Sequence, residues 1–164
     1  MQAREKYSVE KLDEIDIKIL GILQGNAKIT TKELAAAVNL SPTPVFERQK
    51  RLENGAYIKK YIAILDAEKL SNSLLVFCNI RLKKHSGECG KHFIKAVAEI
   101  KEVVECYNIS GDYDFMMKIY VRDMKHYQDF VLNTLGSIDS IGSLHSNFVI
   151  AEIKSTHEIP IPLK

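Results

Sequence analysis

This sequence predicts an α+β fold: a helical N-terminal part, a β linker, and a C-terminal part that mixes strands with helices. Three observations carry the prediction. Up to Gly55 the apolar residues recur at helical spacing behind recognisable caps. From Tyr57 onward, β-branched and aromatic residues and then strict alternation take over. At 164 residues, the chain is long enough for two small cores. The boundaries that follow are 1–56, 57–72 and 73–164.

Asp13 caps a first helix whose Ile15, Ile19, Ile22 and Leu23 form one stripe, with Leu12 placed to staple onto Ile17; the helix ends near Gly25-Asn26. Thr30-Thr31-Lys32-Glu33 is a capping box that opens a short, Ala-rich helix through Leu34, Ala35 and Val38. Asn39-Leu40-Ser41 then connects tightly to a third helix, with Ser41 as N-cap and Pro42 at the first helical position. On a helical wheel Val45 and Leu52 mark its inward side with Gln49 beside them. Thr43, Glu47, Lys50 and Arg51 point the other way. Two helices in this order, the second with a polar outer face, make a helix-turn-helix, whose second helix enters the major groove of DNA. A plain three-helix bundle with a solvated charged surface fits the same pattern.

Tyr57 to Leu65 reads as an extended strand, closed by Asp66-Ala67-Glu68. In Leu74–Leu82 the residues Leu74, Val76, Cys78, Ile80 and Leu82 share one face. A helix through Phe93, Ile94, Val97 and Ile100 follows, then a strand from Val103 to Ser110, a turn at Gly111-Asp112-Tyr113 and a strand from Asp114 to Val121. Asp123 caps a helix carrying Tyr127, Phe130, Val131 and Leu135, and a last strand spans about Leu144 to Ile153. This βαββαβ order is the ferredoxin-like arrangement, with helices on one side of an antiparallel sheet. Residues such as Leu75, Phe77 and Tyr107 are left on the open face, which invites a second copy.

Charge is unevenly spread. Residues 1–60 hold eleven Lys/Arg against eight Asp/Glu, and residues 61–164 hold twelve against thirteen, so an anionic partner is expected at the N-terminal part. Three cysteines without a CxxC pair argue against a disulfide framework, and no apolar run is long enough to span a bilayer. A cytoplasmic protein without membrane association is the expectation. His85, Cys89 and His92 have ligand-like spacing but lack an evident fourth donor for a structural metal. Asp112 and Asp114 lack a phosphate-cradling glycine loop and an activated nucleophile. No metal, cofactor or catalytic residue is therefore expected.

Leu12-Asp13-x-x-Asp16-x-x-Ile19-Leu20, then Leu40-Ser41-Pro42-Thr43-Pro44-Val45-x-x-Arg48-x-x-Arg51-Leu52-Glu53, then Ile58 and Tyr61, and finally Val104-x-Cys106-x-x-Ile109-Ser110-Gly111-Asp112-Tyr113-Asp114-Phe115 resemble the leucine-responsive regulatory protein/AsnC family of transcription regulators. The resemblance covers nearly the whole chain. It implies an N-terminal DNA-reading domain and a C-terminal domain that dimerises, assembles higher oligomers, often octamers, and binds a small effector, typically an amino acid such as leucine, between C-terminal domains. The sequence departs from the family pattern at Asn26-Ala27-Lys28, where an Asp-Gly-Arg-like turn is usual, and at Gln49, a typically apolar position. It departs again at Ala56, where the usual glycine arrives one residue early as Gly55, and at Lys60.

The residues expected at duplex DNA are Thr43, Glu47, Lys50 and Arg51 in the groove, with Arg48, Lys32 and Thr31 at flanking phosphates. Arg48 has a rival role, pairing with an acidic neighbour. A two-fold dimer would favour an imperfect palindrome. Gly111, Asp112, Tyr113 and Asp114 are the expected effector turn: backbone amides for a carboxylate, an Asp for an ammonium group. The alternative there is a tight turn whose Asp114 secures the strand. The competing overall function is a stand-alone amino-acid-binding oligomeric module without base-specific reading.

Overall fold

A computed structural model describes residues 12–162, which form two compact units: residues 12–63 together with 154–162, and Ile64–Ile153. The expected C-terminal domain over 73–164 therefore loses its last residues to the helical unit.

The helical unit holds α1 (Glu14–Gly25), α2 (Thr31–Ala37) and α3 (Pro42–Asn54). Local chemistry accounts for each start. Asp13 and Asp16 form a reciprocal capping box on α1, and Thr30 and Glu33 form one on α2. Ser41 caps α3 with extended backbone but no side-chain bond, and Pro42 supplies the preset φ of the first turn. Asn39 turns the chain between α2 and α3 at φ +55°, a left-handed conformation that Asn tolerates. Ile19, Leu23, Leu34, Ala35, Val38, Val45 and Leu52 make the core.

The strand expected over Tyr57–Leu65 is absent. Tyr57 N and Ile58 N donate to Leu52 O at the end of α3, and both side chains pack on the helical core. The residues beyond have no ladder partner among the described residues, and extended backbone becomes a strand only when its amides and carbonyls are paired. Ile62, Ile64 and Leu65 are exposed there.

The second unit runs β1 (Leu74–Leu82), α4 (Gly87–Ala98), β2 (Val103–Asn108), β3 (Phe115–Val121), α5 (Met124–Asp129) and β4 (Ile141–Phe148). After Asp129 the α5 helix widens into a π turn (Phe130–Thr134) and tightens into a 3-10 turn (Leu135–Ser137). The antiparallel sheet has the order β2-β3-β1-β4, as the βαββαβ reading requires. Val76, Cys78, Ile80 and Leu82 of β1 and Phe115, Met117, Ile119 and Val121 of β3 are buried with Phe93, Val97, Tyr127, Phe130 and Leu135 of the helices. The opposite face carries Leu75, Phe77, Met116, Tyr120 and the exposed Tyr107. The last strand begins and ends earlier than Leu144–Ile153. Ile141 already pairs with Leu82, and after Val149 N donates to Leu75 O the partner strand β1 runs out.

Candidate nucleic-acid interface and effector turn

The outer face of α3 is the centre of the first site. Val45 and Leu52 are fully buried on its inner side, while Thr43, Phe46, Glu47 and Lys50 are exposed opposite them. Lys50 Nζ stands 4.6 Å from the centroid of the Phe46 ring. Phe46 is a residue the sequence reading missed, because an apolar side chain is taken by default to face inward. Its position three residues from Thr43 and four from Lys50 was the available signal.

Arg48 and Arg51 do not share that bare face. Arg48 NH1 donates to Asp13 Oδ2 at 2.6 Å and to Asp16 Oδ1 at 2.8 Å; Arg51 NH2 donates to both oxygens of Asp16 at 2.7 Å. Asp16 is 1% exposed, so two guanidiniums on α3 grip one buried carboxylate on α1. The acidic partner foreseen for Arg48 is thus present, and Arg51 shares it while its side chain stays 37% exposed. A carboxylate buried at a helix interface needs cationic partners, and the nearest turn of α3 supplies both. Burial pushes the Asp13 carboxyl up, but the Asp16 backbone N–H and the Arg48 guanidinium outweigh it and hold Asp13 below its usual range.

Thr31 is half-buried and Lys32 exposed in the first turn of α2. Gln49 uses its amide rather than packing: Nε2 donates to Glu53 Oε1 at 3.3 Å and to Tyr61 Oη at 3.1 Å, while the Tyr61 hydroxyl donates to Glu53 Oε1 at 2.8 Å. The apolar position replaced by Gln49 has become a latch between α3 and the start of the linker. Burial, and then the Glu53 hydrogen bond, push the Tyr61 phenol above its usual pKa.

In the sheet unit, Gly111 takes φ +113°, a conformation that favours glycine, and Asp112 is exposed beside it. Arg81 Nε and NH2 donate to Asp112 O at 2.9 and 2.6 Å, and the guanidinium lies 5.7 Å from the Tyr113 ring, which stacks on His145. The Asp114 carboxylate is occupied: Oδ2 accepts from Leu82 N at 2.8 Å and Oδ1 meets His85 Nδ1 at 3.0 Å. Asp114 is thus engaged by the start of the β1–α4 connection through both carboxylate oxygens. His85, Cys89 and His92 do not form one cluster: His85 turns to Asp114, while the Cys89 thiol and His92 Nδ1 both reach Ser140. Among the described residues no three metal-ligating side chains gather, and no helix is long and apolar enough to cross a membrane.

With this geometry in view, the chain can be set beside known proteins. The Lrp/AsnC ligand binding domain matches residues 75–159, and a winged helix-turn-helix DNA-binding domain matches residues 12–59. The chain belongs to the Lrp/AsnC family. It is 39% identical to the leucine-responsive regulatory protein of Haemophilus influenzae, over 93% of this chain and 92% of that one. It is 37% identical to the DNA-binding transcriptional activator DecR of Escherichia coli K12, over 92% and 99%. A transcriptional regulator of Neisseria meningitidis, solved as a complex with L-Met, superposes with a TM-score of 0.89 at 34% identity, over 92% of this chain and 97% of that one. As an Lrp/AsnC protein the chain is a DNA-binding transcription regulator with a helix-turn-helix unit and a ligand-binding unit.

Proposed function

We propose that the chain reads duplex DNA through the outer face of α3, with Thr43, Glu47 and Lys50 at base edges. Lys can address a guanine edge and Glu can accept from cytosine. Arg51 joins these groove contacts from its anchor on Asp16, and Arg48, Thr31 and Lys32 contact flanking phosphates. A two-fold dimer carries two such helices about 34 Å apart and selects an imperfect palindrome. The dimer assembles further, to an octamer, using the open sheet face and the exposed Ile62, Ile64 and Leu65.

The effector is an amino acid, leucine or another, held between C-terminal domains by the backbone of Gly111, Asp112 and Tyr113, with Asp114 bracing the turn. The L-Met complex of the Neisseria relative supports this chemistry. The protein works in the cytoplasm as a regulator, not as a catalyst. The observation that carries the reading is an exposed polar and cationic helix face backed by a buried ion cluster. Binding of wild type and Lys50→Ala to DNA upstream of the chain's own gene, across a salt series, tests it. Site-selective, salt-dependent binding that the variant loses is expected; binding no stronger or more selective than to bulk genomic DNA would overturn it.

A further inference from the structure

The outer face of α3 carries one residue that hydrogen bonding and charge do not explain. Phe46 is 43% exposed, is not among the described core residues of the helical unit, and stands one turn of the helix from both Thr43 and Lys50, at the edge of the polar face. A ring left this exposed forgoes much of the stabilisation that full burial would give it. The Lys50 ammonium over its face adds a cation–π contact and restricts both side chains. An apolar surface and a cation are thereby presented together at the middle of the helix.

In the major groove the only methyl group is the C5-methyl of thymine, where cytosine offers a bare C5–H and the remaining edge groups are hydrogen-bond donors and acceptors. We propose that Phe46 is a specificity-determining residue that packs on a thymine methyl in each half-site, with the Lys50 ammonium directed to an adjacent acceptor. The inference rests on the DNA-reading function above and deepens it, adding a preference for A·T pairs carried by Phe46.

Deoxyuridine pairs as thymine does but lacks the methyl, so it isolates this contact. The duplex enriched from a randomised pool by the wild-type protein is remade with each thymine in turn replaced by deoxyuridine. At one thymine per half-site the replacement is expected to weaken wild-type binding about fourfold, the value of one buried carbon. Phe46→Ala is expected to bind thymine and deoxyuridine duplexes equally, and Phe46→Leu to keep part of the difference. Because each protein is compared with itself on two duplexes, a loss of folded fraction cancels. Selective, salt-dependent binding with no thymine sensitive to the replacement, or with the same sensitivity in Phe46→Ala, would overturn the role of Phe46 and leave DNA reading intact. Failure of the wild type to enrich any duplex would overturn both.

Discussion

Ala56 is the residue at which this chain departs most clearly from what its backbone asks for. It sits just after the end of α3 at φ +56°, where an L side chain crowds the following carbonyl, while its neighbour Gly55 has an ordinary φ of −77°. The glycine is nevertheless used: a Cβ there would lie 3.1 Å from Arg51 O and 3.2 Å from the Tyr57 ring. The two positions thus have different demands, left-handed backbone at one and close approach at the other. Ala56→Gly relieves roughly 1–2 kcal/mol of left-handed strain but adds unfolded-state entropy of somewhat less, so a net gain of about 0.5–1 kcal/mol is expected. Urea denaturation of the full chain followed by far-UV circular dichroism checks this, and a lower midpoint for the variant would contradict the argument. Phe46 shows the same lesson about single residues. Its type says core, and only its place on the wheel says otherwise.

At the scale of elements, what could be read from sequence was what depends on near neighbours. Asp13, Thr30 and Asp123 each cap the helix assigned to them through a side-chain bond completed within three residues, and Ser41 holds the cap position of α3 by its backbone alone. The alternation of β1 placed Val76, Cys78 and Ile80 in the core for the same reason. Tyr57–Leu65 was not legible, since strand composition does not reveal whether a ladder partner exists. The contact of Arg51 with Asp16 was not legible either, since a partner 35 residues away does not appear in a wheel. The caps also give the helical unit a pH dependence. Hydrogen bonds from the Thr30 hydroxyl and backbone hold Glu33 below its usual pKa, and Asp13 is lowered as well. A carboxyl whose folded pKa is depressed contributes stability that is complete above the unfolded value of about 4, and that is lost as pH falls through the folded value. The helical unit is therefore expected to lose thermal stability on acidification from about pH 5 to pH 3, with Asp13→Asn flattening part of that decline. A melting temperature independent of pH over this interval would remove the caps from the account.

Over the whole molecule, the chain connects its two units twice, once near Ala63 and again near Ile153. The second connection was invisible in sequence because the segment from Lys154 has neither helical nor strand periodicity and contributes a contact rather than an element. That contact is specific: Gln24 Nε2 donates to Ile159 O at 3.2 Å, and Ile159 N donates to Gln24 Oε1 at 3.1 Å. One side-chain amide so completes both hydrogen bonds of a backbone unit, as a neighbouring strand would, and does so from the last turn of α1. Gly25 lies beside it, where a Cβ would come within 3.2 Å of Glu158 Oε1. Gln24→Ala removes both hydrogen bonds without touching the core of the helices, so a cost of about 1 kcal/mol is expected, the pair being exposed. The decisive measurement is amide hydrogen exchange at Ile159, whose N–H is protected in the wild type only while the Gln24 clamp is closed. Loss of that protection in Gln24→Ala, with protection at Leu23 retained, is the expected result; Ile159 exchanging at the same rate in both proteins would show that the tail is not held by this amide.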